Sequence, residues 1–452
     1  ETVLFSVGLS VAFLMLAGLF INEFCLLFGV SKPFSLMPLM IILNSFVLLG
    51  GILVYLRSED IKSFGAETLS LSPLALLFVG FPVLSVVGAL FANASGNSSI
   101  LLFMILAIAV LLVLGILSKR FVPPKLYPFI IFMIAIALLF HSSLISNYIH
   151  SADIMLEYFV FKTVENSAHW SSVFMKPWDL VYSRLNSMLS ITILPTIYSI
   201  LLNMDATWVF KILYPLIFSF VPLGLYQLWQ KNVGEKRAFM ATFLVMAQST
   251  FYTDMLGLNR QMIAELFFVL LLLVVLSKEM KSFNKMMCFM IFSFALITSH
   301  YALAEIFLFF ISFVWISLVA VKRPSRNLTV TIVVLFFVSM FSWYLYTSSS
   351  AVFDSIVSYG DYLYNQLDQL LNPASRGGEV LRGLGMEAPP TIWNMLSRTF
   401  AYLTEFLIVV GFVGLIAKRK NIHRETEFFM FTVMAMVFLI ALIAVPGLAG
   451  TM

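Results

Sequence analysis

Charge is what this chain has least of. Only 11% of its 452 residues are Asp, Glu, Lys or Arg, against 61% hydrophobic residues and a mean hydropathy of +0.99, a balance that no water-facing domain could accommodate. Cysteine is nearly absent: Cys25 and Cys288 both fall inside apolar runs, which excludes a disulfide framework and a multi-cysteine metal site. The net charge is only +4, and the cations are scattered among loops instead of forming a stripe with aromatics, so nucleic-acid binding has no support. Alternating strand patterning is missing, which argues against a membrane β-barrel. No cleavable signal peptide is evident. A start at Glu1 without methionine and a stop at Met452 right after an apolar run suggest a processed or partial chain.

What is abundant is long apolar runs of roughly 15 to 25 residues, about the length that crosses the hydrocarbon core as helix. They read at about 5–29, 36–56, 74–92, 100–118, 128–147, 207–229, 238–253, 261–277, 286–299, 302–321, 328–347, 399–417 and 427–446. The fold class is therefore all-α: a polytopic helical membrane protein of about 13 transmembrane helices, with outer-face loops containing short surface helices. Loops between alternate spans differ in charge. One set is short and basic, with Arg57, Lys125, Lys231, Lys236, Lys285, Arg323 and Lys418 among its cations, hence cytoplasmic. The other is longer yet has few cations, among them Lys162, Arg184, Arg260 and Arg398, and faces outward.

This parity requires that residues 189–203 do not cross; the segment is short and broken by Pro195, and should lie along the outer surface as an amphipathic element. Sequons at Asn93 and Asn97 fall in an outer loop, whereas Asn327 abuts cytoplasmic cations and should stay bare. Two outer segments dominate, roughly 141–206 and 348–398. The first reads as ordered, because Tyr158, Trp170, Trp178 and Tyr182 are interleaved with its charges. The second, with Asn372-Pro373 and Pro389-Pro390, reads as more mobile. Trp170, Trp178 and Trp393 are the candidate sugar platforms, with interface anchoring as their ordinary role.

Chemistry is expected in the first segment. Asp153 and Glu157 are four apart, so a helix puts them on one face with His150 a turn earlier. Carboxylates so placed repel each other, which raises one pKa and suits it to accepting a proton; the bland alternative is a wet polar face. The turn after the seventh span contributes Asp254, then Arg260, Gln261 and Glu265 at the mouth of the eighth. Glu265 there is slightly inside the membrane, where an ionisable group must be paired or line a wet cavity. Arg260 either neutralises Glu265 or is available for a phosphate. His300 and Tyr301 occupy the next outer turn, as packing residues or as part of the site.

In its architecture the chain resembles the C-type glycosyltransferase superfamily, whose multi-spanning enzymes use lipid-phosphate-linked sugars. The likeness rests on a span followed by a long outer loop that opens with Asp153-Ile154-Met155-Leu156-Glu157-Tyr158, continues into a surface helix from Tyr182 to Asn203, and re-enters at Val209–Trp229. Over residues 128–320 it is similar to uncharacterised archaeal multi-spanning membrane proteins, through Asn186-Ser187-Met188-Leu189-Ser190, Arg260–Glu265 and Ser299-His300-Tyr301. Two features depart from the superfamily: four spans precede the core, and Trp178-Asp179 follows Pro177 without a second tryptophan, which counts against en bloc oligosaccharide transfer to protein. The implied domains are a four-span region at 1–127, a catalytic membrane core at 128–347, an outer loop at 348–398 and C-terminal spans at 399–452.

The resemblance implies transfer of a sugar from a polyprenyl-phosphate donor to a glycan, lipid or protein acceptor by single displacement, on the outer face of what is expected to be the plasma membrane. Asp153 would take the acceptor proton, and Glu157 or Glu265 would orient the acceptor or help hold a divalent cation, Mg or Mn; no cofactor is certain. Arg260, Arg376 and Arg382 would meet phosphate charge, and Asp254, Gln261, His300 and Tyr301 would line the substrate site. Two other classes stay open: a transporter or flippase of a lipid-linked or amphiphilic substrate using Glu265 and Glu305, and a non-catalytic membrane assembly subunit.

Overall fold

A computed structural model describes residues 1–57, 73–117, 122–173, 180–348, 351–369, 381, 391–417 and 426–445. Among them all regular structure is helical, and ten helices are long and apolar enough to cross a membrane. The chain is an all-α polytopic membrane protein. It divides into two compact units, one of Glu1–Ala304 with Val338–Ser349 and one of Glu305–Phe337 with Ser350–Met452.

In the first unit, α1 (Thr2–Leu27), α2 (Leu36–Arg57), α3 (Pro73–Ser95), α4 (Ser99–Leu117) and α5 (Tyr127–Ser143) are followed by three non-spanning helices, α6 (Ala152–Ser167), α7 (Leu180–Asn186) and α8 (Ile193–Leu202). The chain re-enters through α9 (Ala206–Val233), whose early π turn, Val209–Leu213, ends just before Pro215. Proline cannot donate to the carbonyl four residues back, and the helix widens there. Next come α10 (Glu235–Met246), α11 (Asn259–Leu276) and α12 (Ser282–Ile297). Helix α11 is the core element, packed on α9 and α12 with most of its apolar residues buried.

Contacts within this unit sort the helix ends into two groups. At one end Glu1 pairs with Lys231 at 2.6 Å, Tyr127 stacks on Phe239 at 4.2 Å, and Lys285 donates to the Ser277 carbonyl. At the other, Asn93 donates to Asn147 at 3.0 Å, His141 lies against Tyr252, and Ser190 donates to the Ser299 carbonyl at 3.0 Å. Lys125, Lys231 and Lys285 therefore gather away from Arg184 and Arg260, the separation that the loop charges call for.

Two expectations need correction. Residues 238–253 are not one continuous span: α10 is 12 residues long, about 18 Å at the helical rise, and single turns at Ser249–Tyr252 and Asp254–Gly257 follow it. Residues 189–203 do not lie on the surface along their whole length: 189–197 are buried, and only the end of the segment, Leu202 and Asn203, is exposed. The first half of α8, Ile193–Ile197, is buried, and Gly18 of α1 comes so near that a Cβ there would collide with Ile193 and Ile197. The segment after 348 contains a helix at Ala351–Asn365, while Asn372-Pro373 and Pro389-Pro390, on which its expected mobility rests, lie outside the described residues.

The second unit contains most of α13 (Tyr301–Ala320), the start of α14 (Val330–Ser348), α15 (Ala351–Asn365), α16 (Ile392–Ala417) and α17 (Thr426–Ala444). At its basic turn, Glu427 accepts hydrogen bonds from the Ser325 hydroxyl and, at 3.5 Å, from the Asn327 amide. In α15, Asp354 and Asp361 share one face and Val352, Ile356 and Leu363 the other. Trp178, Arg376 and Arg382 lie outside the described residues.

Candidate functional site

Helix α6 starts after Ser151, whose φ of 103° is a conformation that L-residues rarely adopt. The Ser151 side chain lies against Gly257, where an added Cβ would sit 2.8 Å from the Ser151 Oγ and 2.9 Å from its Cβ. Glycine at 257 is what lets the loop before α11 approach the loop before α6, and the N-termini of both helices meet there.

Asp153 and Glu157 then face α11 from successive turns of α6, with opposite fates. Glu157 is fully buried. Its Oε1 accepts from Arg260 Nη1 at 2.8 Å, and its Oε2 accepts from the Asn259 backbone N–H at 3.0 Å. A carboxylate thus serves one of the orphan donors at the start of α11, where the helix dipole favours negative charge. Burial pushes the Glu157 carboxyl above the ordinary range, while the Arg260 charge and the two N–H groups pull it down. The Asp153 side chain is 48% exposed, and its Oδ2 lies 3.5 Å from Arg260 Nη2. Arg260, 14% exposed, links the two acids. Among the described residues its Nε, like both amide atoms of Asn259, is enclosed with no hydrogen-bond partner.

Arg260 therefore neutralises Glu157, not Glu265. Glu265, on the second turn of α11, accepts instead from Gln261 Nε2 at 3.0 Å. Among the described residues no hydrogen bond or ion pair joins Glu265 or Asp254 to the Asp153–Arg260–Glu157 cluster; Asp254 is exposed and accepts from the Thr253 hydroxyl. His150 precedes α6 and bonds Ser146 at 2.8 Å.

His300 lies close enough to Arg260 to feel its charge. Its Nδ1 accepts the Leu303 N–H at 3.3 Å, which leaves the proton of the neutral ring on Nε2. Burial, and then Arg260, push the imidazole down to about 3. Its ring stacks on Tyr301, 5.5 Å between centroids, and the Arg184 guanidinium lies 5.6 Å from the centre of the Tyr301 ring.

The stretch Asn186–Ser190 has a scaffolding role. It is buried and non-helical after Asn186, so its carbonyls need donors. Trp170 Nε1 serves the Asn186 carbonyl at 3.0 Å, Trp343 Nε1 serves Ser187 at 3.1 Å, and the Tyr214 hydroxyl serves Ser190. Trp170 is itself held by Asn22, which accepts its N–H at 2.7 Å and donates to its carbonyl at 2.8 Å. Val160, Leu185, Met188 and Ile191 form the cluster beneath, with Leu156 and Tyr301 packed on it. The ordered reading of Trp170 is met by a buried tryptophan with its N–H paired, a core residue and not a sugar platform. Lys211, inside the π turn, donates to the Tyr148 carbonyl at 2.8 Å and steadies the loop ahead of α6.

A divalent cation does not fit these carboxylates. Among the described residues no three His, Cys, Asp or Glu side chains gather as ligands, and a guanidinium already occupies the place between the two acids.

Residues 285–452 match a family model described as a predicted membrane protein (DUF2206). No curated protein and no solved structure matches the chain. The family match and the ten apolar helices make this a multi-pass integral membrane protein. His300 and Tyr301 fall inside the matched residues; Asp153, Glu157 and Arg260 precede them.

Proposed function

We propose that the protein is an integral-membrane glycosyltransferase that moves a sugar from a polyprenyl-phosphate donor to an acceptor hydroxyl on the extracytoplasmic face. The observation that carries this reading is a half-exposed carboxylate, Asp153, beside a guanidinium, Arg260, that a buried acid holds in place. A base for the acceptor and a cation for the phosphate are then within one sugar-phosphate of each other. Both stand at the helix ends remote from the lysine-rich turns, which the charge rule puts outside.

In the reaction the acceptor oxygen attacks the anomeric carbon as the bond to the phosphate oxygen breaks. The electron pair leaves with the polyprenyl phosphate, and the hydroxyl proton passes to Asp153. General-base help of this kind is worth roughly 10²–10⁴-fold. Arg260 meets the charge that grows on the departing phosphate. Glu157, without access to substrate, is a positioning residue that fixes Arg260 and the start of α11. The roles of Arg376 and Arg382 in holding phosphate remain part of the proposal.

Membranes with and without the protein, supplied with a labelled polyprenyl-phosphate sugar, test this reading. Protein-dependent transfer that Asp153→Asn abolishes supports it; transfer at the wild-type rate in a folded Asp153→Asn protein sinks it. A transport reading draws on one observation, the acidic Glu265 within a span. It predicts movement of lipid-linked sugar across vesicles that depends on Glu265 and not on Asp153.

A further inference from the structure

One edge of the Arg260 guanidinium is nearly unused. Nη1 is committed to Glu157 at 2.8 Å. Among the described residues Nε has no partner, and Nη2, which shares an edge with Nε, reaches Asp153 at only 3.5 Å. Two parallel N–H groups on one edge are the fork that grips two oxygens of one oxyanion, and a single carboxylate oxygen at that distance exploits little of it. Next to Arg260, the buried Asn259 amide has both its atoms unpartnered as well. Asp153 is the side chain nearest the edge, and half exposed on the first turn of α6 it has room to swing away. Glu157 is fully enclosed and doubly bonded, so it stays.

Charge sets the terms on which an anion can enter. Asp153 holds a carboxylate oxygen 3.5 Å from Nη2, on the edge a phosphate would need, and two anions on one edge repel each other. A phosphate can take the fork only if Asp153 leaves.

We propose that the Nε/Nη2 edge of Arg260 is a bidentate oxyanion site for a phosphate ester, and that the phosphate displaces Asp153 from the guanidinium. Loading of the donor thereby frees the carboxylate that accepts the acceptor proton, so the base is unmasked only when there is a donor to react. The identity of the phosphate and the role of the base rest on the transferase reading. The exchange at Arg260 does not.

The test is a calorimetric titration of the full chain in lipid nanodiscs with a polyprenyl monophosphate and, separately, with inorganic phosphate. Asp153→Asn should tighten binding by about ten-fold, because the resident competitor has lost its charge, and Arg260→Lys should weaken it by about ten-fold or more, because the charge survives without the fork. Binding of the lipid phosphate alone assigns the site to lipid donors; equal binding of inorganic phosphate assigns it to phosphate in general. Unchanged or weaker binding in Asp153→Asn overturns the exchange, as does absence of binding in both it and the wild type. Asp153 is half exposed, so its variant folds and decides the matter even if Arg260→Lys does not. The titration needs neither sugar nor acceptor: tighter binding by Asp153→Asn in a protein that never transfers sugar leaves the oxyanion site standing and removes the transferase reading.

Discussion

Glu157 and Arg260 form a buried ion pair at 2.8 Å across two helices that lie a hundred residues apart in the chain. The second oxygen of the same carboxylate caps α11 through the Asn259 N–H. One acid thus fixes both the position of a cation and the end of the helix that presents it. The other acid on the same face of α6, Asp153, is left near water.

Removing the two acids should cost very different amounts. Glu157→Ala leaves a buried guanidinium and a helix N-terminus without their partner, a loss of about 3–5 kcal/mol, whereas Asp153→Ala removes a long, half-exposed contact worth less than about 1 kcal/mol. Unfolding of the purified variants in detergent separates the two, and equal losses would contradict the burial asymmetry.

The approach of Ser151 to Gly257 makes a non-additive pair. Gly257→Ala forces the two loops apart and should cost about 1–3 kcal/mol, together with a loss of activity because Arg260 shifts. Ser151→Gly relieves a positive φ and also empties the space that the new Cβ needs. The double variant should therefore recover much of the lost stability, and strictly additive effects would mean that the two residues do not touch.

Trp343→Phe and Trp170→Phe each orphan a buried carbonyl in Asn186–Ser190, at about 1–3 kcal/mol apiece. Thermal unfolding of each variant measures it. A negligible change in both would show that this turn does not depend on indole donors.

His300 predicts acid sensitivity. Its folded pKa of about 3 lies below the ordinary value of 6.5, so above pH 6.5 both states are neutral and nothing is lost. As pH falls through 6.5 the unfolded chain takes a proton that the folded one refuses, and stability declines by about 2 kcal/mol by pH 5. The buried Glu157 carboxyl, raised in the fold, acts with the opposite sign over part of that range. The comparison is therefore between wild type and His300→Gln, whose difference in unfolding free energy should shift by that amount between pH 7.5 and pH 5.

Membrane class and most spans were legible in the sequence, because apolar length and scarce charge report directly on the bilayer. The shared face of Asp153 and Glu157 was legible too, since helical spacing is local. Which acid would be buried was not, because that depends on Gly257, Leu258 and Asn259 turning α11 toward α6. A turn signal at Gly257 is visible in the chain, but its contact with Ser151 is not. The same limit explains why Arg260 was weighed against Glu265, five residues on, when its partner lies on another helix. The burial of residues 189–197 was not legible for a related reason: nothing local reveals that Gly18 clears a place for Ile193 and Ile197.

The most direct measurement is the rate of sugar transfer from a polyprenyl-phosphate donor by the full chain in nanodiscs, wild type against Asp153→Asn of matched unfolding temperature. A fall of roughly 10²–10⁴-fold is expected if Asp153 is the base. An Asp153→Asn protein that transfers sugar as fast as wild type would contradict that role and with it the single-displacement mechanism built on it.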